Sequence, residues 1–173
     1  MDKKILVAYF SRADFNYVND RLVNLSVGNT ELAARMVAEL TGGQLFKIEP
    51  LIKYSTDYHT CTQEAKKDLR ANARPPLSEY LPGIDDFHVI VLGYPNYWGT
   101  MPMAVWTFLE RYEFSGKTIL PLCTHEGSGM GKSESDIEKL CHGADLRKGL
   151  AIRGSEVKQA KNEIETWLKT QDY

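Results

Sequence analysis

Apolar residues in this chain gather into short continuous runs separated by longer amphipathic stretches. Ile5–Phe10 is apolar throughout, and His88–Gly93 reads His-Val-Ile-Val-Leu-Gly. Runs of this length predict strands buried on both faces, and the second, being the most apolar, is expected at the centre of a sheet. Between them, Thr30–Leu40 spaces Leu32, Ala33, Met36, Val37 and Leu40 along one helical face and stops at Gly42-Gly43. Gln44–Glu49 alternates and predicts a short edge strand. Gln63–Asn72 predicts an exposed helix around Ala65 and Leu69, ending ahead of Pro75-Pro76. Pro102 suits the first turn of a helix whose core face is Val105, Phe108, Leu109 and Tyr112. Thr118–Cys123 is a fourth strand, and Ser133 with Asp136 resembles a capping box ahead of Ile137, Leu140 and Cys141. Leu146–Ile152 is a weak fifth strand. Ser155 is expected to cap a last helix carrying Val157, Ala160, Ile164, Trp167 and Leu168. Five strands alternating with five helices predict an α/β protein with a parallel sheet covered on both faces. No repeat or linker divides residues 1–173, so a single domain is expected.

Composition narrows the function. With 173 residues, 43% hydrophobic and 25% charged, the chain can bury a full core. A net charge of −2 without a basic stripe argues against a nucleic-acid surface. No apolar run approaches the ~20 residues that span a bilayer. Met1-Asp2-Lys3-Lys4 leads straight into a strand, which predicts no signal peptide and a cytoplasmic location. Cys61, Cys123 and Cys141 are odd in number and scattered, as reduced thiols are, and none has metal-ligand spacing beyond the adjacent Cys141-His142.

The chemistry sits in three turns that follow the first, third and fourth strands. The first strand feeds Ser11-Arg12, and after an intervening stretch Gly28-Asn29-Thr30 opens a helix. The free N–H groups and positive dipole of such a helix end suit a phosphate. Ser11 and Thr30 offer hydroxyls there, Asn29 and Thr30 offer backbone donors, and Arg12 either pairs with the phosphate or lies in solvent. Capping alone would also explain Asn29 or Thr30. The second turn, Pro95-Asn96-Tyr97-Trp98-Gly99, can grip a flat ring, unless Trp98 folds back onto the helix that holds Trp106. A phosphate at one loop and an aromatic clamp at another suggest FMN.

The third turn runs Thr124-His125-Glu126-Gly127-Ser128-Gly129-Met130-Gly131-Lys132-Ser133. Its end matches G-K-S of a nucleoside-triphosphate loop, but Glu126 stands where the leading glycine belongs. No apolar strand ending in Asp is placed to hold magnesium. Glycines here instead let backbone amides approach a flavin's polar edge. His125 and Glu126 are the titratable pair nearest the site. They either assist proton transfer or, for His125, make one loop hydrogen bond. A receiver-type signalling domain would need acidic residues after Tyr9-Phe10, where Ser11 stands.

Taken together and in order, Ile5–Arg12, Gly28-Asn29-Thr30, Val91–Gly99 and Thr124–Gly129 resemble the flavodoxin family over essentially the whole chain. The resemblance implies a doubly wound three-layer sandwich whose five parallel strands lie in the order 2-1-3-4-5. It implies non-covalent FMN, with phosphate at Ser11, Asn29 and Thr30 and the ring between Pro95, Asn96, Tyr97, Trp98 and Gly99 on one side and Thr124, His125, Gly127, Ser128 and Gly129 on the other. Its implied role is electron transfer with a redox partner protein, as a monomer or homodimer. The alternative is an FMN-dependent NAD(P)H:quinone-type oxidoreductase acting on a small acceptor, and a third is a flavin-free binding module on the same fold. The usual phosphate loop is interrupted here by Ala13–Val27, expected as a lid or a surface loop. Family electron carriers are typically strongly acidic, whereas this chain is nearly neutral.

Overall fold

The computed structural model describes residues 3–173. In chain order it forms β1 (Ile5–Tyr9), a hairpin of β2 (Asp14–Val18) and β3 (Arg21–Leu25), α1 (Asn29–Thr41), β4 (Gln44–Lys47) and α2 (Tyr58–Arg70). These are followed by β5 (Val89–Pro95), α3 (Met103–Arg111), β6 (Thr118–His125), α4 (Ser133–Leu140), β7 (Asp145–Leu146) and β8 (Leu150–Arg153). A 3-10 turn over Gly154–Gln159 leads into α5 (Lys161–Lys169). The main sheet runs β4-β1-β5-β6 and then β7 and β8, every pair parallel. No helix among the described residues is long and apolar enough to cross a membrane.

β7 and β8 share one lane. β7 pairs with Thr118 and Ile119 at the start of β6, and β8 with Leu122–His125 at its end. They are the expected fifth strand broken in the middle, so the expected order of five lanes is the one found. Two long-range hydrogen bonds make the break. Gly149 donates its amide to Glu134 Oε1 at 2.8 Å, and the Lys148 carbonyl turns to accept Trp167 Nε1 at 3.0 Å, both outside the ladder.

Alternation along the strands divides the core into two. Leu6, Ala8, Ile90 and Leu92 face Phe108 and Leu109 of α3 and Ile137 of α4. Val7, Tyr9, Val89 and Val91 face Ala33, Ala34 and Val37 of α1 and Ile164, Trp167 and Leu168 of α5. Parallel strands buried on both faces explain the continuous apolar runs.

Four local expectations change. α2 starts at Tyr58, five residues before Gln63, because Asp57 caps it by accepting the Thr60 amide at 2.8 Å. Ser133 and Asp136 form no capping box. Both are buried, Ser133 Oγ donating to the Met130 carbonyl at 2.6 Å and Asp136 accepting from Thr100 Oγ1 at 2.6 Å. Ser155 caps nothing; it lies inside the 3-10 turn, and α5 begins later without a side-chain cap. The Ala13–Val27 stretch is a regular antiparallel hairpin closed at Asn19-Asp20, both with positive φ, the geometry of a two-residue turn with the right twist.

Candidate functional site

β1, β5 and β6 end side by side, and their carboxyl ends open into a cavity of about 490 Å³. At its first corner Ser11 Oγ accepts the Glu31 amide at 3.1 Å, doing from a neighbouring loop what a capping side chain usually does. Gly28 supplies the true N-cap and has no side-chain cap of its own. A Cβ on Gly28 would overlap Ser11 Oγ and the Arg12 carbonyl, so only glycine lets the two segments close. The amides of Asn29 and Thr30, first in α1, have no acceptor within the helix, and both residues line the cavity. These donors, the Ser11 hydroxyl and the helix dipole make an anion site.

Two side chains behave differently from expectation there. The Thr30 hydroxyl is buried and shares a 2.7 Å hydrogen bond with Thr124 Oγ1, tying α1 to β6 instead of facing the cavity. The Arg12 guanidinium neither reaches the anion corner nor lies free in solvent. It donates to the carbonyls of Ser55 (2.7 Å), Thr56 (2.8 Å) and Phe15 (2.6 Å), and so fastens the hairpin to the loop before α2. Asn16 reinforces this neck by donating to the Arg12, Ala13 and Asp14 carbonyls.

The second loop divides its aromatics. Tyr97 turns inward, its ring centroid 5.7 Å from Phe10 and 6.3 Å from Tyr54, and forms apolar wall. Burial holds its phenol well above the ordinary tyrosine pKa, so it stays protonated. Trp98 points outward with φ +56° and remains 47% exposed. It packs on α2, not on the helix of Trp106: Nε1 donates to the Thr62 carbonyl at 2.9 Å. Asn96 locks the second loop to the third. Its amide donates to the Thr124 carbonyl at 2.9 Å, its Nδ2 to the Gly129 carbonyl at 2.8 Å, and its Oδ1 accepts the Gly99 amide at 2.9 Å.

In the third loop Thr124, His125, Glu126 and Ser128 line the cavity, whereas Gly127 and Gly129 shape the turn behind them with φ +135° and +62°. The Gly131-Lys132-Ser133 segment cannot cradle phosphate. A Cβ on Gly131 would overlap the Gly99 carbonyl, Lys132 donates its amide to that carbonyl at 2.8 Å, and Ser133 Oγ is buried against Tyr94. His125 Nδ1 accepts the Gly127 amide at 2.9 Å, which places the ring proton on Nε2. Burial, followed by nearby Arg153, lowers its pKa, against the opposing pull of Glu126. A histidine with a folded-state pKa below its unfolded value of about 6.5 stabilises the fold above that pH and loses this contribution as pH falls through the folded value. An NMR titration of the His125 ring is therefore expected to show a midpoint below about 6.5; a midpoint above it would mean that the ring donates rather than accepts.

Twelve of the fourteen expected residues line this one cavity; Gly127 and Gly129 are the two that do not. Seven wall residues had no signal in the motifs: Asn16 and Tyr17 of the hairpin, Tyr58, Cys61, Thr62 and Ala65 of α2, and Gly154 just after β8. Asp57, three residues before Thr60, was the capping signal that would have brought α2 to the site. Glu126 also belongs to the wall. Its Oε1 is buried without a partner close to Asn29 and Gly154, and its Oε2 accepts the Asn19 amide at 3.3 Å. An anion corner continuous with an aromatic slot suits a ligand with a phosphate at one end and a flat ring at the other.

A family model described as Flavodoxin matches residues 4–171. Among solved structures, the chain is similar to a putative flavoprotein from Bacteroides uniformis, at 26% identity and TM-score 0.76, covering 98% of this chain and 100% of that one. A putative flavoprotein from Bacteroides eggerthii is also 26% identical, with TM-score 0.79 and 98% of each chain covered. A flavoprotein from Lactobacillus acidophilus in complex with FMN shares the fold at 19% identity and TM-score 0.64, over 91% of this chain and 97% of that one. No curated protein matches.

Proposed function

This chain belongs to the flavodoxin family, and from that premise we propose that it binds one FMN non-covalently and transfers electrons to and from a partner. The observation that carries the reading is the joining of two different subsites in a single cavity. Unpaired amides of α1 and the Ser11 hydroxyl lie at one corner, and the loops of residues 95–99 and 124–129 lie at the other. The Lactobacillus flavoprotein of the same fold, crystallised with FMN, supports the identity of the ligand.

When bound, FMN supplies the redox chemistry. The residues of this chain bind and position it. Asn29 and Thr30 hold the phosphate through their amides, and Ser11 orients it. Asn96 fixes the distance between the two ring loops by donating its amide to the Thr124 carbonyl and its Nδ2 to the Gly129 carbonyl. Tyr97, backed by Phe10 and Tyr54, keeps water from one wall. Neither a nucleophile nor a bound metal is needed for this role.

One observation favours a second reading, an FMN-dependent oxidoreductase acting between NAD(P)H and a small acceptor. His125 lines the cavity as a neutral ring with its N–H on Nε2, placed to donate a hydrogen bond to a small acceptor while solvent supplies the proton. Steady oxidation of NADH or NADPH by the FMN-loaded protein with a quinone separates the two. The carrier reading expects only the few equivalents of reduction that load the flavin; sustained turnover of about 1 s⁻¹ or more would favour the oxidoreductase.

A further inference from the structure

Three aromatic rings on the α2–α3 side of the molecule each lie beneath a cation. Lys66 Nζ is 4.6 Å from the Trp98 ring, Arg74 lies 5.1 Å from Trp106, and Arg111 lies 5.4 Å from Tyr80. α2 places Lys66, Lys67 and Arg70 on one surface at three- and four-residue spacing, and these line a shallow groove of about 400 Å³. None of the three has a carboxylate within ion-pair distance among the described residues, whereas Lys47, Lys53, Lys139, Lys161 and Lys169 all do. The carboxylates of α2 itself are committed elsewhere: Glu64 accepts the Ser55 amide and Asp68 accepts the Tyr54 hydroxyl. The surface is thus locally cationic on a chain whose net charge is −2.

Trp98 joins this surface to the cavity. It lines the cavity, is tethered to α2 through Thr62, and keeps 47% of its surface in solvent. Tryptophan, tyrosine and arginine are enriched at the centres of protein interfaces, and side chains already ordered over aromatic faces lose less entropy on docking.

We propose that an acidic redox protein docks on the α2 surface at Lys66, Lys67 and Arg70, with Trp98 at the edge nearest the cavity. Its redox role rests on the electron-transfer reading above: in each encounter the partner's reduced centre loses one electron to the bound flavin, the accompanying proton coming from solvent. The polarity is opposite to that of strongly acidic carriers, and local charge replaces steering by net charge.

The test titrates the protein, with and without FMN, against an acidic plant-type ferredoxin and against basic cytochrome c. Titrations run at about 0.01 M and about 0.2 M salt, where screening lengths differ severalfold. Ferredoxin is expected to bind, to weaken at the higher salt, and to bind K67E/R70E more than about tenfold more weakly, with the neutral K67Q/R70Q between. Lys67 and Arg70 lie outside the cavity, so FMN affinity stays unchanged in both variants. Failure of ferredoxin to bind at low salt, equal binding by K67E/R70E, or tighter binding of cytochrome c would overturn the proposal. Flavin content is read from the absorbance of the same samples, so a failure of the FMN reading appears there and not in the docking titration.

Discussion

Gly28→Ala is expected to reduce FMN affinity at least about a hundredfold, about 2.7 kcal/mol, while riboflavin affinity falls much less. The backbone at Gly28, with φ −67° and ψ 153°, suits any residue, so the penalty is one of space. A Cβ meets Ser11 Oγ, which can rotate away only by giving up the Glu31 amide, and the Arg12 carbonyl, which as backbone moves only by pulling the chain after β1 away from α1. That displacement opens the corner where the amides of Asn29 and Thr30 converge. Riboflavin lacks the phosphate that uses this corner, which makes the difference between the two ligands the informative quantity. Ser11→Ala, a milder change in the same place, should cost FMN roughly tenfold. Equal losses for FMN and riboflavin would place the phosphate elsewhere.

Thr30→Val and Thr124→Val should each lower unfolding free energy by about 1–3 kcal/mol, and the double variant by less than their sum. Each single change removes a methyl-sized hydroxyl and leaves its partner buried without a hydrogen bond, the two residues being 2% and 4% exposed. Removing both hydroxyls removes the unmet demand as well. Urea unfolding at unchanged m-value measures this directly, and strict additivity would show that the two hydroxyls do not depend on each other. The phosphate subsite loses little in Thr30→Val, because the amide of residue 30 remains in place.

The parts of the fold written in local pattern were legible. Ile5–Phe10, the strand centred on Val89–Leu92 and the helix face of Ala33 and Val37 are buried where their periodicity puts them. Three side-by-side strand ends then bring Ser11, Asn96 and Thr124 together, although they are far apart in sequence. What escaped was decided by tertiary contacts. Thr30 and Arg12 have donors that suit a phosphate, but Thr124 and the carbonyls of residues 55 and 56 claim them. Trp106 offers Trp98 a neighbour on α3, yet the Trp98 indole N–H finds a carbonyl on α2. The break between β7 and β8 follows from Glu134 and Trp167, neither of which is near residue 148 in the chain. The hairpin carries a signal in Asn19-Asp20, a turn pair flanked by Val18 and by Leu22 and Val23, which makes two strands of the stretch expected as a lid or a surface loop.

The most direct measurement is a fluorescence titration of flavin-free protein with FMN, followed to saturation. Binding at this cavity predicts a sharp break at one equivalent, because the aromatic wall quenches the flavin and a single anion corner admits a single phosphate. FMN unquenched from the first addition, with no break even in large excess, would contradict it, removing both the carrier and the oxidoreductase and leaving a binding module on the same fold.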